Sequence, residues 1–260
     1  MRSISYLIFL ISCLTYSQNE VKAFQAGEKL VFTAAYNMSG LMTDLAQVTM
    51  ETSEVKTSKN TLLKLKCTAT TYSKWDGFFK IRDLYESYVN PNTLTPYLYQ
   101  RDINEGNYFK FVKYTYNHRT KTVATLITKK AKIGGTYDQK KNIPLNPGAK
   151  DIVTTIYSIR NLDIHKAANG DSDTFTVLFD REENQIQIKL LAKETINTNI
   201  GKKECYKLAI SLRNSDVLKG SNSNLLWLTA DENKIPVYAK FKIPVGSGEL
   251  KIQSATGLKN

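Results

Sequence analysis

The chain has 260 residues, and its 36 Lys and Arg outnumber its 24 Asp and Glu, which gives a formal net charge of +12. No segment beyond the N-terminus approaches the roughly 20 apolar residues of a membrane-spanning helix, so the sequence excludes a transmembrane helix in the mature protein. No linker rich in Pro, Ser or Gly interrupts the chain, so we expect a single β-rich domain over residues 18–260.

The N-terminus has the parts of a secretory signal. Arg2 precedes an almost unbroken apolar run over residues 4–13, and small residues follow at Thr15 and Ser17. A positive residue, a short apolar core and small residues before the cleavage site define such signals. We expect residues 1–17 to be a signal peptide that is removed after Ser17.

The same run also fits a bacterial lipoprotein signal, in which Cys13 would become the acylated first residue. Either signal predicts an exported protein, periplasmic or associated with the outer envelope. An exported protein this basic is expected to contact anionic envelope surfaces, such as phospholipid or lipopolysaccharide headgroups. The alternative is that the charge serves solubility. A nucleic-acid partner is not expected, because none of the usual binding modules is visible.

Apolar residues alternate with polar ones through the first half of the chain. Leu30, Phe32, Ala34 and Tyr36, for example, fall on one face of an extended segment. Short polar turns separate such segments, which favours consecutive antiparallel strands. The predicted strands are residues 28–38, 41–54, 62–73, 82–89, 96–103, 107–117 and 120–128.

Residues 129–150 break this alternation. They contain a local concentration of lysines, set among glycines and prolines. We predict a solvated basic loop that leads into a helix. Its lysines are Lys129, Lys130, Lys132, Lys140, Lys141 and Lys150.

Residues 151–162, DIVTTIYSIRNL, are predicted to form the one helix. Ile152, Ile156 and Ile159 recur at helical spacing, and Asp151 is placed to cap the first turn. We expect the resulting apolar stripe, with Ile156 at its centre, to pack on the sheet, so that Ile156→Asp would abolish folding. The other apolar residues of the stripe are Val153, Tyr157 and Leu162.

The alternation resumes after the helix. The predicted strands are residues 174–180, 185–195, 202–213, 224–229, 236–243 and 249–256. Residues 215–224 and 246–248 are predicted as turns between strands. About a dozen strands are too many for one flat sheet. We therefore expect a mainly β fold, with a large curved antiparallel sheet that forms a barrel or a half-open barrel and the helix packed on it.

Four stretches of the sequence resemble one family. They are GEKLVFTAAYNMSGLMTDLAQV, IRDLYESYVNPNTLTPYLYQRDINEGNY, KDIVTTIYSIRNLDI and LLWLTADENKIPVYAKFKIPVGSGELKI. In this order they are similar to the DUF3108 family of exported bacterial proteins of unknown function. The resemblance implies a periplasmic or envelope protein with a curved antiparallel sheet. Such sheets look similar to those of the periplasmic lipoprotein carriers, which shelter acyl chains on a concave face. The family supplies no catalytic residues.

The residues themselves point to no chemistry. Neither His118 nor His165 has a second ligand at metal-binding spacing, and neither a nucleophile elbow nor a phosphate-binding loop is present. We therefore expect no enzymatic activity, no cofactor and no metal. The two cysteines beyond the signal, Cys67 and Cys205, either pair as a disulfide or are buried as small apolar residues.

One segment, YSKWDGFFK over residues 72–80, is a candidate ligand site. It places Trp75, Phe78 and Phe79 around a turn, between Lys74 and Lys80. These aromatic rings are candidates for the rim of an apolar pocket, with the two lysines meeting anionic headgroups. The alternative is that the rings fold back and plug one end of the barrel.

Two functions follow from these alternatives. In the first, an exported envelope protein binds a lipid or other apolar ligand on the concave face of its sheet. In the second, a structural or interaction protein with a solidly packed barrel docks on another envelope component. The sequence does not indicate an oligomeric state.

Overall fold

The computed structural model describes residues 23–38, 40–212, 224–243 and 246–260. The predicted signal peptide with Cys13, and nearly all of the predicted turn at 215–224, lie outside the described residues. The strands are β1 (Lys29–Met38), β2 (Leu41–Lys56), β3 (Thr61–Thr71), β4 (Arg82–Val89), β5 (Pro96–Glu105), β6 (Tyr108–Asn117), β7 (Thr122–Lys130), β8 (Thr136–Pro144), β9 (Ser172–Phe179), β10 (Glu182–Thr198), β11 (Gly201–Leu212), β12 (Leu225–Thr229), β13 (Pro236–Ile243) and β14 (Gly246–Thr256). The helix is α1 (Ile152–Ile159).

All fourteen strands belong to one antiparallel sheet, in the order β8-β7-β6-β5-β4-β3-β2-β1-β14-β13-β12-β11-β10-β9. Sequential strands are neighbours in β1–β8 and again in β9–β14, and the pairing of β1 with β14 joins the two halves. The expected mainly β fold with one large antiparallel sheet and one helix is confirmed. Because β8 and β9 are the two ends of the strand order, the sheet is not closed, and the closed barrel among the expected alternatives is not formed.

The predicted basic loop at residues 129–150 is wrong, because half of it is strand. The end of β7 and all of β8 lie within it, and β8 pairs with β7 along its whole length. Only Ile143 of β8 is buried. The strand has little apolar alternation because it is an edge strand, and charged side chains such as Lys140 and Lys141 keep an exposed edge from pairing with other chains.

The predicted turn at residues 246–248 is also wrong. Gly246 and Gly248 lie inside β14, where Gly248 pairs with Phe241 of β13. A Cβ atom on Gly248 would collide with the Phe241 ring, and one on Gly246 would lie 2.5 Å from the Tyr36 hydroxyl. The glycines are therefore required by close approach of neighbouring rings within the sheet rather than by a turn.

Helix α1 is shorter than the predicted 151–162, and its cap is as expected. Asp151 is the N-cap, and its carboxylate accepts a hydrogen bond from the Thr154 backbone N–H at 2.9 Å. After Ile159 the chain leaves the helix through Arg160. The helix therefore consists of about two turns between two polar residues that anchor its ends.

The predicted centre of the apolar stripe is wrong. Ile156 is 36% exposed, whereas Val153, Tyr157 and Ile159 are buried. The helix is surrounded on most sides, so its polar residues are buried as well. Thr155, for example, satisfies its hydroxyl by donating to the Asp151 carbonyl at 2.8 Å. Ile156 is left on the one side that faces solvent.

The helix separates two apolar clusters. Val153 and Tyr157 belong to the larger cluster, which is built from β1–β9 and β11–β14 and includes Leu30, Leu65 and Val112. Ile159 belongs to the smaller cluster on β10–β12. The other buried members of the smaller cluster are Ile164, Ile188, Leu190, Tyr206, Leu208 and Leu228. Both halves of the sheet thus bury apolar surface against α1.

A buried ion pair fixes the end of α1. Arg160 donates to both carboxylate oxygens of Glu28, from Nη1 at 2.6 Å and from Nη2 at 2.7 Å, and neither side chain is accessible to solvent. Nη2 also donates to the carbonyls of Asn233 at 2.9 Å and Ala23 at 3.1 Å. The guanidinium lies 5.0 Å from the centre of the Phe24 ring. One side chain therefore holds the helix, the segment before β1 and the turn between β12 and β13.

The orientation of α1 predicts opposite outcomes for two isoleucines. Ile159→Asp places a charge in the smaller apolar cluster and should cost several kcal/mol of unfolding free energy. Ile156→Asp should cost about 1 kcal/mol, because the new carboxylate reaches solvent. Urea denaturation of both variants measures the difference. Equal destabilisation by the two substitutions would contradict the orientation.

Removal of the Arg160 side chain should be more damaging than removal of an exposed cation. Arg160→Ala leaves the Glu28 carboxylate buried without its partner, which is expected to cost about 3–5 kcal/mol. Lys166→Ala is the matched control, because it breaks an exposed ion pair with Asp163, just beyond the end of α1. It should leave the denaturation midpoint almost unchanged. Similar midpoints for the two variants would show that the buried pair is not needed.

Candidate functional site

Helix α1 contacts β3 and β4 in the first half of the sheet and also β9 at the far end of the strand order, so the sheet curves around the helix. The start of α1 is bonded to this concave face. Ser87, in the middle of β4, donates its hydroxyl to the Asp151 carboxylate. Thr154 donates to the same carboxylate through its hydroxyl at 2.8 Å. Burial raises the pKa of Asp151, while the hydrogen bonds from Ser87 and Thr154 oppose that rise. The helix therefore occupies the concave face through a buried polar contact as well as through its apolar residues.

The turn between β9 and β10 also reaches the first half of the sheet. Asp180 and Arg181 have φ values of 48° and 71°, a left-handed conformation that costs non-glycine residues on the order of 1 kcal/mol each. Asp180 accepts hydrogen bonds from Arg101 of β5 and from Lys110 of β6, whose Nζ lies at 2.7 Å. The Arg101 guanidinium stacks over the Phe179 ring at 4.3 Å. These contacts hold the strained turn in place.

Arg181 extends the contact to the next two strands. Its backbone N–H donates to the Tyr114 hydroxyl at 3.0 Å, and its Nε donates to the Thr125 hydroxyl at 2.8 Å. Its Nη2 donates to the Gln139 carbonyl on β8. The β9–β10 turn therefore touches β5, β6, β7 and β8 in succession. These contacts bring the two ends of the open sheet together, and the backbone of Lys150, between β8 and α1, adds hydrogen bonds with Thr176 and Leu178 of β9.

Two depressions elsewhere on the described residues are small. One of about 330 Å³ lies between the end of β10 and β12–β14, where Ile196, Trp227 and Val237 line it. Another of about 420 Å³ lies beside the 3-10 turn Ile164–Lys166 and has several carboxylates at its border. Sites for drug-sized ligands span roughly 300–1,000 Å³. These depressions therefore fit a small ligand better than a long acyl chain.

The predicted site residues lie in the connection between β3 and β4. Ser73–Trp75 forms a 3-10 turn, and the half-buried Trp75 donates its indole N–H to the Asp44 carbonyl of β2 at 2.8 Å. Asp76 accepts a hydrogen bond from the Thr71 hydroxyl at 2.7 Å and pairs with Arg82. The connection is therefore a fixed structure on the sheet rather than a loose loop.

The two phenylalanines of this connection face solvent. Phe78 is 74% exposed and Phe79 is 46% exposed, so the alternative in which both rings plug the barrel is wrong. Lys74 lies over the Trp75 ring with Nζ at 5.5 Å from its centre, and Lys80 is exposed. The segment thus presents rings and lysines together at the surface, but it borders no cavity among those described above.

Further apolar side chains that the sequence reasoning missed are exposed at hairpin ends. Leu41, at the start of β2, is 71% exposed, Tyr108, at the start of β6, is 52% exposed, and Ile133, between β7 and β8, is 100% exposed. Each stands within two residues of a turn glycine. An apolar residue beside a turn glycine has no sheet face to cover it, and this signal was available in the sequence.

Acidic residues gather at the β4 and β5 ends. The buried Asp83 carboxylate accepts a hydrogen bond from the Asn104 backbone N–H at 2.9 Å. Burial raises the pKa of Asp83 to about 6, the Asn104 hydrogen bond opposes the rise, and the nearby carboxylates Glu105 and Asp102 add to it. Within the described ranges, no group of three or more His, Cys, Asp or Glu residues could hold a metal ion.

The two described cysteines are not paired. Cys67 and Cys205 are both free thiols. Burial raises the pKa of Cys67 to about 12 and that of Cys205 to about 11, so both remain protonated at neutral pH. Because the thiolate is the reactive form, these residues act as small packed side chains, and the alternative of a disulfide between them is not realised.

No helix among the described residues combines the length and the apolar character that a membrane crossing requires.

Comparison with known proteins supports the β-rich fold, and the matched family and structures are not described by an activity. The model of the DUF3108 family, described as protein of unknown function, matches residues 31–253. No curated protein matches the chain. The chain is similar to a β-barrel-like protein of the domain of unknown function DUF1849 from Brucella abortus, at 8% identity and a TM-score of 0.51, over 88% of this chain and 96% of that one. It is also similar to a protein with a YmcC-like fold from Bacteroides fragilis, at 8% identity and a TM-score of 0.30, over 90% and 99%.

The raised pKa of Asp83 predicts a decline of stability with pH. Its folded-state value of about 6 exceeds the value of about 3.9 expected for an unfolded chain. The folded protein therefore binds more protons between these values, and the unfolding free energy should fall as pH rises from about 4 to about 6, by about 1.4 kcal/mol for each unit of difference. Asp83→Asn should remove this decline and stabilise the protein at neutral pH.

Urea denaturation across this pH range measures the effect. Asp173→Asn, which changes an exposed acid on β9, is the matched control and should keep the decline of the parent. If Asp83→Asn retains the full decline, the titrating group is another one.

Proposed function

The chain belongs to the DUF3108 family of proteins of unknown function, and from its geometry we propose that it is an exported envelope protein that docks on another envelope component through its outer surface. Its interior, in this proposal, is packed and holds no ligand. Export rests on the signal at residues 1–17, with anchoring through an acylated Cys13 as the alternative. The proposal assigns no enzymatic activity to the chain.

The observation that carries the proposal is the occupied concave face. Helix α1 lies on that face with Asp151 bonded to Ser87, and the β9–β10 turn lies against β5–β8 with Asp180 bonded to Arg101 and Lys110. An acyl chain entering this space would have to displace groups that are already paired. Loss of Asp180 would leave the buried cations Arg101 and Lys110 without their partner. That loss, together with the broken buried hydrogen bond of Ser87 to Asp151, costs more than the apolar contact of a few methylenes returns.

The outer surface carries the charge that docking on an anionic component needs. Lys29 and Lys66 both pair with Glu51 across β1, β2 and β3. Other lysines, such as Lys113 and Lys140, are exposed on β6 and β8. Exposed lysines, in a sequence whose formal net charge is +12, attract anionic partners over about one Debye length.

A carrier of an apolar ligand is the second candidate. The observation in its favour is the depression of about 330 Å³ whose lining includes Ile196, Trp227 and Val237. Its volume limits the ligand to a small one, and it does not lie under α1. The fold-level likeness to lipoprotein carriers supports the architecture that this candidate needs, but it does not identify a binding site.

Two measurements on the mature chain separate the candidates. Purified protein added to washed envelopes of its own host should pellet with them at low salt and be released at high salt, because exposed charges are screened. Native mass spectrometry of protein purified from that host should show the bare polypeptide mass. A stoichiometric lipid adduct would favour the carrier, and protein that stays in the supernatant at low salt would contradict docking.

A further inference from the structure

Four strand connections lie side by side at one end of the strands in the first half of the sheet and form a continuous rim. Because β1–β8 are sequential antiparallel neighbours, the connections β1–β2, β3–β4, β5–β6 and β7–β8 must all lie at the same end. We define the apolar rim as five exposed apolar side chains at these ends, Leu41, Phe78, Phe79, Tyr108 and Ile133.

Hydrogen bonds join each hairpin end to the next. Trp75 of the second end donates to the Asp44 carbonyl of the first, at 2.8 Å. The Gly106 N–H of the third end donates to the Lys80 carbonyl of the second, at 2.7 Å. Lys130 beside the fourth end donates to the Asn107 carbonyl of the third, at 2.9 Å. The rim is therefore one linked surface and not four independent loops.

Exposed lysines lie among the rim side chains. The connections at residues 72–81 and 131–135 contain Lys74, Lys80 and Lys132, and Asp76 there is paired with Arg82. Nearby carboxylates are the exposed Asp44 of the first end and the half-buried Glu105 at the end of β5. All three lysines are exposed. Isolated apolar tips beside lysines fit the interface of a lipid bilayer, where rings and aliphatic groups enter the headgroup region and ammonium groups meet lipid phosphates.

We propose that the apolar rim docks on the surface of a bilayer that contains anionic phospholipid. This inference rests on the docking function proposed above and names its partner. A protein partner is a poorer fit, because exposed lysines lie among the apolar side chains of the rim, whereas the centre of a protein interface is depleted of charged residues. Docking by the rim sets the strands of the first half end-on to the membrane.

Vesicle flotation tests the proposal with the mature chain. Vesicles of phosphatidylcholine with about a quarter phosphatidylglycerol should bind the protein, and pure phosphatidylcholine vesicles should bind it about tenfold more weakly. Phe78→Ser combined with Ile133→Ser should weaken binding to the anionic vesicles by about tenfold or more. Both side chains are exposed, so the melting temperature of the double variant should match that of the parent.

Controls separate the rim from the rest of the surface. Tyr97→Ser removes an exposed ring at the start of β5, at the opposite end of the strands, and should leave vesicle binding unchanged. Lys74→Gln with Lys132→Gln should weaken binding to anionic vesicles and hardly affect binding to neutral ones. Equal binding by the parent and the Phe78→Ser, Ile133→Ser variant would overturn the rim as the site.

Failure of this inference is distinguishable from failure of the docking function. If the protein pellets with host envelopes in a salt-sensitive way but floats with neither kind of vesicle, docking stands and the lipid partner is wrong. If the Phe78→Ser, Ile133→Ser variant then loses envelope binding, the rim binds an envelope protein instead. Protein that binds neither envelopes nor vesicles overturns both.

Discussion

The ion pair between Arg160 and Glu28 is the contact on which the arrangement of this protein depends. Two charges withdrawn from water are tolerated only when their hydrogen bonds are complete, and here the guanidinium reaches both carboxylate oxygens and two backbone carbonyls. Glu28 leads directly into β1, where the two halves of the sheet meet. The end of α1 is therefore fixed to the middle of the sheet, and the helix cannot serve as a detachable lid.

A fixed helix determines what the interior can do. Its first turn is bonded to β4 through Asp151 and Ser87, and its last residue packs with the smaller cluster on β10–β12. The concave face, which in an open sheet would be the natural ligand site, is thereby divided between two packed clusters. The surfaces left for recognition are the outer face, with its lysines, and the hairpin ends.

The sequence predicted those elements whose burial follows a simple period. Residues 82–89 and 236–243 were predicted with the observed limits. Strand β6, predicted at 107–117, shows the signal most clearly, because its burial alternates along Tyr108–Asn117 with a period of two. The edge strand β8 was missed, because nearly all of its side chains face solvent and it therefore lacks the apolar alternation by which the other strands were predicted. The orientation of α1 was predicted wrongly. The helix is buried on most sides, so the spacing of its apolar residues does not indicate which side faces solvent, and Ile156 lies on that side.

The candidate site was harder to predict than the fold. The segment with Trp75, Phe78 and Phe79 was found from its composition, but its exposure depends on the neighbouring hairpins. The contact between Arg160 and Glu28 joins residues 132 positions apart, and no local pattern reveals such a partner. The contact of Asp180 with Arg101 has the same origin, since it depends on how the sheet curves.

The central seam between β1 and β14 has a consequence for how the chain folds. Each half of the sheet is a series of local hairpins that can form as the polypeptide emerges, but β1 must wait for the last strand before its second edge is covered. Closing so long a loop is slow compared with hairpin formation. During export the first half is therefore exposed to mispairing through β1, and protection of that edge is a requirement of biogenesis rather than of the finished structure.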